Sequence, residues 1–359
     1  DVPTYLGSAS TFEQARFGGH GGRPLATGDV LRARTDVETS APAPIPVEDR
    51  ITTAGEWSLH VTEGPQPAPE YFTAEDMEKL YEATWTVHFH AARTGVRLIG
   101  PKPTWARSDG GEAGLHPSNL HDNAYSVGAV NFTGDTPSIL GPDGPSLGGF
   151  ACPFTVVSSD RWKLGQLRPG DTLRFVPVDT TELPLIAAAN RSNSVYAPTA
   201  SRRDSDNGVL ARVSATDTTP EVVYRRGGDD NVLVEYGPMT LDLGLRMRIY
   251  ALMQSLTERA PAGLIDQTPG VRSLHLHVDP AILPIRHLVE MLVEIEYQLP
   301  STSDLVVPSR EVHLPLSWDD PTVTEAISRY SSLIRDDAPW NPSNIEFIRR
   351  ANGLSSVCL

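Results

Sequence analysis

The chain has 359 residues, a formal net charge of −15 and 39% apolar residues, enough material for two or three packed domains. A surface that acidic repels phosphate and anionic headgroups, and no basic run relieves it, which argues against nucleic acid and membrane surfaces as partners. Twenty-nine glycines and 31 prolines point to frequent turns and much β structure instead of long helical bundles.

In chain order, residues 1–35 read as short strands joined by turns. Within them FGGHGGRPL, 17–25, places four glycines around His20, followed by Arg23. That run suits either a backbone-lined anion or substrate loop or a tight connection at a barrel corner. It is not GxGxxG and no helical pattern follows, so a dinucleotide site is poorly supported. The Pro/Ala-rich run 39–49 reads as an exposed excursion. Thr73 opens a helix through a T-A-E-D capping box, with Met77, Leu80, Tyr81 and Thr84 on one face. The pattern then changes to period two. Trp85, Val87 and Phe89 alternate with His88 and His90, and VRLIG continues as a strand after a Thr94-Gly95 turn.

The segment 100–135 follows, GPKPTWARSDGGEAGLHPSNLHDNAYSVGAVNFTGD. Its turn formers and its concentration of Lys102, Trp105, Arg107, Asp109, Glu112, His116, Asn119, His121, Asp122, Asn123 and Tyr125 read as a functional loop carried between apolar segments. Beyond it, turn signals (GPDGP, LGG, RPGD) separate apolar runs about ten residues long, the grammar of an all-β barrel or sandwich. RPGD is a β-turn before the strand TLRFV. Residues 179–221 are low in aliphatics and read as an interdomain linker. From Val222 the pattern is strand (VLVEY), helix (about 241–257), strand (VRSLHLHV), helix (about 281–297) and strand (EVHLPLSW). Leu245, Ile249, Leu252 and Leu256 stripe the first helix, and Ile285, Leu288, Val289 and Leu292 the second. Asp320-Pro321 and Asn341-Pro342 each read as a cap with proline at the first helical position, and Gly353 as a helix stop. The fold class expected is α+β, predominantly β: a barrel over 1–178, the linker, and a small α+β domain over 222–359.

P-loop and HExxH signatures are missing from the sequence, which disfavours ATPase and zinc protease chemistry. His88 with His90, and His275 with His277, would each share a strand face, yet neither pair has a third ligand nearby, so no metal is expected. Cys152 and Cys358 make neither a disulfide framework nor a CxxC site. Together with a first stretch that lacks a signal-peptide pattern and the lack of an apolar run of about 18 residues, they suggest a cytoplasmic protein. HPSNLHDN, 116–123, gives two imidazoles, one carboxylate and two primary amides. That set suits a small, planar, neutral ligand rich in N–H groups. The carboxylate can hold the N–H edge and withdraw a proton, while Arg107 or Lys102 meets developing negative charge.

The 100–135 segment, with GPDGPSLGGF and WKLGQLRPGD, resembles the allophanate hydrolase subunit 2-like half of biotin-dependent carboxyltransferase domains. GDDNVLVEYG and TPGVRSLHLHVDP resemble the companion subunit 1-like, KipI-like half. The fused order, with WNPSNIEFIRRANGL near the end, is most similar to the urea carboxylase and urea amidolyase family. The resemblance implies a cyclophilin-like β-barrel followed by an α+β domain. It implies carboxyl transfer from carboxybiotin to a urea or guanidine-like molecule, giving allophanate from urea. Biotin would arrive on a separate carrier domain, and ATP would be used only by a separate biotin carboxylase domain. By motif position Asp122 contacts or deprotonates the substrate nitrogen. His116, Asn119, His121 and Asn123 shape the pocket, and Arg107, with Lys102, faces the biotin or carboxyl oxygens. The resemblance also implies further family sequence on both sides of this segment. The alternatives are a regulatory module of the KipI/KipA type, a 5-oxoprolinase subunit, or an inactive fragment.

Overall fold

The computed structural model describes residues 2–32, 55–107, 111, 115–191, 207–317 and 320–355. Residues 1–52 make one compact unit and residues 53–359 another. In the first, β1 (Thr11–Phe12) and β2 (Phe17–Gly18) pair antiparallel. Gly18, Gly19, Gly21 and Gly22 all take positive φ, between 55° and 71°. Arg23 donates two hydrogen bonds to Asp29, at 2.7 and 2.6 Å. FGGHGGRPL makes a tight connection, in a two-stranded sheet apart from the barrel sheet and not at a barrel corner, with its cation held by the unit's own carboxylate. The proline-rich run 39–49 lies outside the described residues.

The second unit begins with β3 (Glu56–Glu63), whose inward residues Trp57, Leu59 and Val61 alternate with polar ones, the period of a half-buried strand. Thr73 caps α1 (Ala74–Glu82), its Oγ1 accepting from the Asp76 amide at 3.1 Å. β4 (Trp85–Val87) and β5 (Gly95–Ile99) follow. β4 ends at Val87, so His88 and His90 do not share a strand face. They lie in a turn closed by the Ala91 amide on the His88 carbonyl at 3.0 Å, with Phe89 exposed. The remaining elements of this half are β6 (Asn119–Ala124), β7 (Val130–Thr133), β8 (Thr136–Leu140), β9 (Leu147–Phe150), β10 (Phe154–Val156), α2 (Arg161–Leu164) and β11 (Thr172–Pro177). Seven strands form one sheet in the order β10-β3-β11-β4-β5-β8-β7. Its two ends meet. Ala129 bridges Thr155, and the Val156 amide donates to Gly128 at 2.9 Å. The sheet is therefore a nearly closed barrel, and closure removes the exposed edges that invite aggregation. Trp85, Phe154, Phe175, Phe132 and Phe72 fill it. RPGD forms the expected turn before β11, with the Asp171 amide on the Arg168 carbonyl at 3.0 Å.

The stretch read as a linker carries a helix and a strand among its described residues. α3 (Leu183–Arg191) buries Ile186 against Val157 and Val178, and β12 (Val209–Val213) pairs with β13 (Val222–Arg226). With β14 (Asn231–Tyr236), β15 (Leu264–Pro269) and β16 (Ser273–Val278) these make an antiparallel sheet in the order β12-β13-β14-β16-β15. One face packs on α4 (Leu243–Arg259) and α5 (Ile285–Gln298) through Val222, Tyr224, Val234, Leu274 and Leu276. The helix stripes read from the sequence are the residues buried there. The opposite face is buried as well, although it bears Arg225, Glu235, Ser273 and His275. It lies against the barrel half, so the two sheets share a polar seam.

Asp320 caps α6 (Pro321–Leu333), with Pro321 at the first helical position as expected. For α7 (Asn344–Ala351) the cap is Ser343, whose hydroxyl accepts from the Ile345 amide at 3.2 Å. Asn341-Pro342 precedes it and does not start it. Gly353 follows at φ 62° as the stop. EVHLPLSW forms no strand over its described residues 311–317. Val312, Leu314 and Leu316 keep period-two spacing but stay exposed, because among the described residues no strand pairs with them.

Candidate active site

The 100–135 segment is less of a loop than its composition suggests. Its second half is β6, which pairs with β9 in a two-stranded sheet of its own. Asn119 opposes Phe150 and Asn123 opposes Gly148, so Leu120, His121 and Asp122 all face the single residue Gly149. This is a bulge that bends the strand and re-aims its side chains. It lifts Asp122 to the exposed surface while Leu120, Asn123 and Ala124 stay buried. A Cβ on Gly149 would meet the Leu120 carbonyl and would lie 2.9 Å from Asp122 Oδ1. Any Cβ there would press on the β6 backbone.

The other candidate residues divide into two groups. Lys102 and His116 belong to a cluster around Asp135, which the sequence reading did not single out. Asp135 Oδ1 accepts from Trp105 Nε1 at 3.1 Å and lies 3.3 Å from His116 Nε2, and Oδ2 lies 3.7 Å from Lys102 Nζ. The His116 ring stands edge-on to Trp105. Its Nδ1 accepts from the Ser118 amide at 3.2 Å, which places the ring proton on Nε2, facing Asp135. Lys102 is 80% exposed, a cation open to an incoming anion. Arg107 and Asn119 form the second group. Arg107 Nη1 donates to the carbonyls of Pro117 at 3.2 Å and Asn119 at 2.8 Å, and its guanidinium lies over the Tyr71 ring. It clamps the entry to β6.

Within β6, His121 is half-buried. Asn123 is 2% exposed, and its amide nitrogen donates weakly, at 3.4 Å, to the carbonyls of His121 and Gly148. Its Oδ1 is buried and accepts no hydrogen bond among the described residues. Tyr125 covers Gly148, and its hydroxyl accepts from the Phe150 amide at 2.8 Å. Burial pushes that phenol far above its ordinary range, so it stays protonated.

The second sheet reaches β6 directly. The Val271 amide, in the turn between β15 and β16, donates to the Asp122 carbonyl at 2.9 Å. Ser126, just past β6, donates to the Gly227 carbonyl at 2.9 Å, and its Oγ lies 3.0 Å from His275 Nε2. A serine with its one proton engaged is the acceptor there, so His275 donates. Burial, with His277 nearby, lowers the His275 pKa to about 4. Farther along the seam Arg225 binds Glu70 at 2.6 Å and Glu235 at 2.5 Å, and Arg272 binds Glu235 at 2.9 Å. Arg161 grips Asp230 through two 2.6 Å bonds. Burial would raise Asp230, but His277 and Arg161 outweigh it and hold the carboxyl at about 2. Its neighbour Asp229 is raised by burial and by Asp230, although it accepts from the Ser158 amide and hydroxyl. None of these long-range pairs has a signature in the sequence. Asp135, by contrast, closes the motif that the sequence reading quoted.

Residues 1–177 match the family model for the carboxyltransferase domain, subdomains A and B, and residues 222–357 match that for subdomains C and D. The chain belongs to the carboxyltransferase-domain family. It is 38% identical over 371 residues to the urea amidolyase of Saccharomyces cerevisiae, covering 99% of this chain and 20% of that protein. It is 34% identical over 388 residues to the putative urea carboxylase of Emericella nidulans, covering 99% of this chain and 31% of that one. The crystal structure of the K. lactis urea amidolyase superposes with a TM-score of 0.80 at 39% identity, covering 99% of this chain and 23% of that chain. This chain thus spans about a fifth to a third of the length of these relatives.

Proposed function

We propose that this chain is the carboxyltransferase component of a biotin-dependent urea carboxylase, moving a carboxyl group onto a urea nitrogen to give allophanate. The observation that carries the reading is a likeness running through both halves in one chain and one order, to a relative named urea amidolyase. A KipI/KipA-type module or a 5-oxoprolinase subunit would not call for that continuous match.

The side chains fit the chemistry. Urea is planar and presents N–H groups around one carbonyl, so its recognition needs acceptors. Asp122 offers an exposed carboxylate on the bulge, and the buried Asn123 Oδ1 accepts no hydrogen bond among the described residues. Carboxybiotin, brought by a separate carrier domain, supplies the activated carboxyl group. Asp122 would hold one N–H of the substrate and take the proton that nitrogen loses as the new N–C bond forms and the N–C bond between biotin and the carboxyl group breaks, the proton ending on the biotin ring nitrogen left behind. Lys102, 80% exposed beside Asp135, supplies positive charge and N–H donors for the carboxyl oxygens, and His116 braces Asp135. Arg107 fixes the start of β6, and Tyr125 and Gly148 fix its end.

The test supplies this chain with biotin carboxylase and carrier domains, ATP and bicarbonate, and follows phosphate release. The expected result is release that depends on both urea and this chain. Guanidine in place of urea gives the substrate preference. Release that ignores urea, or turnover of 5-oxoproline instead, contradicts the reading.

A further inference from the structure

The bulged strand β6 carries the proposed base but is short, and among the described residues its only strand partner is β9. Its other side rests on the turn 269–273 of the second sheet. Gly270 and Val271 make that contact. The Val271 amide donates to the Asp122 carbonyl at 2.9 Å, and the Gly270 amide closes the turn on the Ser273 carbonyl at 2.8 Å. A Cβ on Gly270 would lie 2.5 Å from the Asp122 carbonyl oxygen and 2.9 Å from Asn123 Cα, and would also meet Ser273 Oγ. Two of these three neighbours are backbone of β6, which cannot swing aside as a side chain would. His275, on the strand leaving the turn, holds Ser126 two residues past the end of β6. The turn thus touches β6 at the backbone of the residue that bears the proposed base.

We propose that the turn 269–273 is a positioning element for Asp122, and that Gly270 is the positioning residue that allows the close approach. The proposal rests on the carboxyltransferase reading above. It makes the second half of the chain part of the catalytic geometry rather than a neighbour of it. Misplacing a reacting group by about 1 Å costs about 100-fold in rate, so displacing the turn acts on turnover before it acts on substrate affinity.

The experiment compares the wild-type chain, Gly270→Ala, Ser273→Ala and the double variant, in the assay with added biotin carboxylase and carrier domains. Hydrogen–deuterium exchange is measured on the same proteins. Gly270→Ala is expected to lower kcat about 10- to 100-fold with the urea KM changed less than about twofold. Its thermal transition stays close to wild type. Exchange quickens at 119–124 and at Val271 but not in the central strands 222–236. Ser273→Ala removes the one side-chain neighbour of that Cβ. Added to Gly270→Ala it restores nothing, because the contacts with the β6 backbone remain. Wild-type turnover in a folded Gly270→Ala chain overturns the proposal. So does recovery in the double variant, which would place the strain inside the turn, or unchanged exchange at 119–124. Should Gly270→Ala not fold, wild-type exchange decides: common opening of Val271 and 119–124 supports the coupling, and independent opening overturns it. Failure of wild-type urea dependence would instead defeat the carboxyltransferase reading, leaving the exchange result to judge the coupling by itself.

Discussion

His275 shows how one buried side chain can set a pH response. Its imidazole lies in the seam, and burial lowers its pKa from 6.5 to about 4. The unfolded chain therefore takes up a proton first as the pH falls. Stability held by the neutral ring is complete above pH 6.5 and declines as the pH drops from 6.5 to 4. At about 1.4 kcal/mol per pH unit, this amounts to a few kcal/mol. Asp230, held at about 2, acts lower, its contribution present above 3.8 and lost as the pH falls toward 2. Asp229, raised from 3.8, works in the opposite sense. His275→Gln keeps a donor for Ser126 and removes the titration, so the difference between the two stability curves isolates the histidine. Thermal melting across pH 4–7 should show a flatter curve for the variant, and parallel curves would contradict the assignment. The sequence showed His275 only as one of two histidines on a strand face. That they do share β16 was legible. That one is buried against Ser126, 149 positions earlier, was not, because nothing local encodes the contact. Asp122 was legible as a candidate for the reason that makes it exposed, a polar run too rich for a core strand. The bulge that presents it depends on pairing with Gly149.

At the level of elements, helices were the readable part. Thr73 and Asp320 cap where they should, and the stripes of α4 and α5 are the buried residues, because caps and stripes are local. The strands expected at VRLIG, TLRFV, VLVEY and VRSLHLHV form as β5, β11, β14 and β16, but two others misled, in opposite directions. β13 reads VVYRR and is buried along its whole length, so it shows no alternation, and its two arginines look like surface. The run at 311–317 alternates well and remains unpaired, since alternation describes a strand's faces and says nothing of its neighbours. β13 and β14 also explain the charged seam. Glu235 lies between Arg225 and Arg272. Burial would raise its pKa, but Arg272 and Arg225 outweigh that and keep it ionised. Removing one member of such a group strands the others in a dry environment, at a cost of about 3–5 kcal/mol. Glu235→Ala should lower stability by that amount in calorimetric unfolding. A loss below about 1 kcal/mol would mean that water reaches the arginines.

Over the whole molecule, the family matches stop at residue 177 and resume at 222, while residues 53–359 form one compact unit. Composition suggested a linker there because low aliphatic content marks surface. α3 and β12 instead bind that stretch to both sheets, and the seam joins them through pairs such as Arg225–Glu70, Arg161–Asp230 and Ser126–His275. The carboxylate that we assign as base sits where a bulged strand of the first half meets a turn of the second. The most direct test follows labelled bicarbonate into allophanate with biotin carboxylase and carrier domains present, comparing wild type with Asp122→Asn. Charging of the carrier should be equal in the two, and label should reach urea only with the wild-type chain, the variant being at least about 100-fold slower. Equal labelling by a folded Asp122→Asn chain would contradict the account.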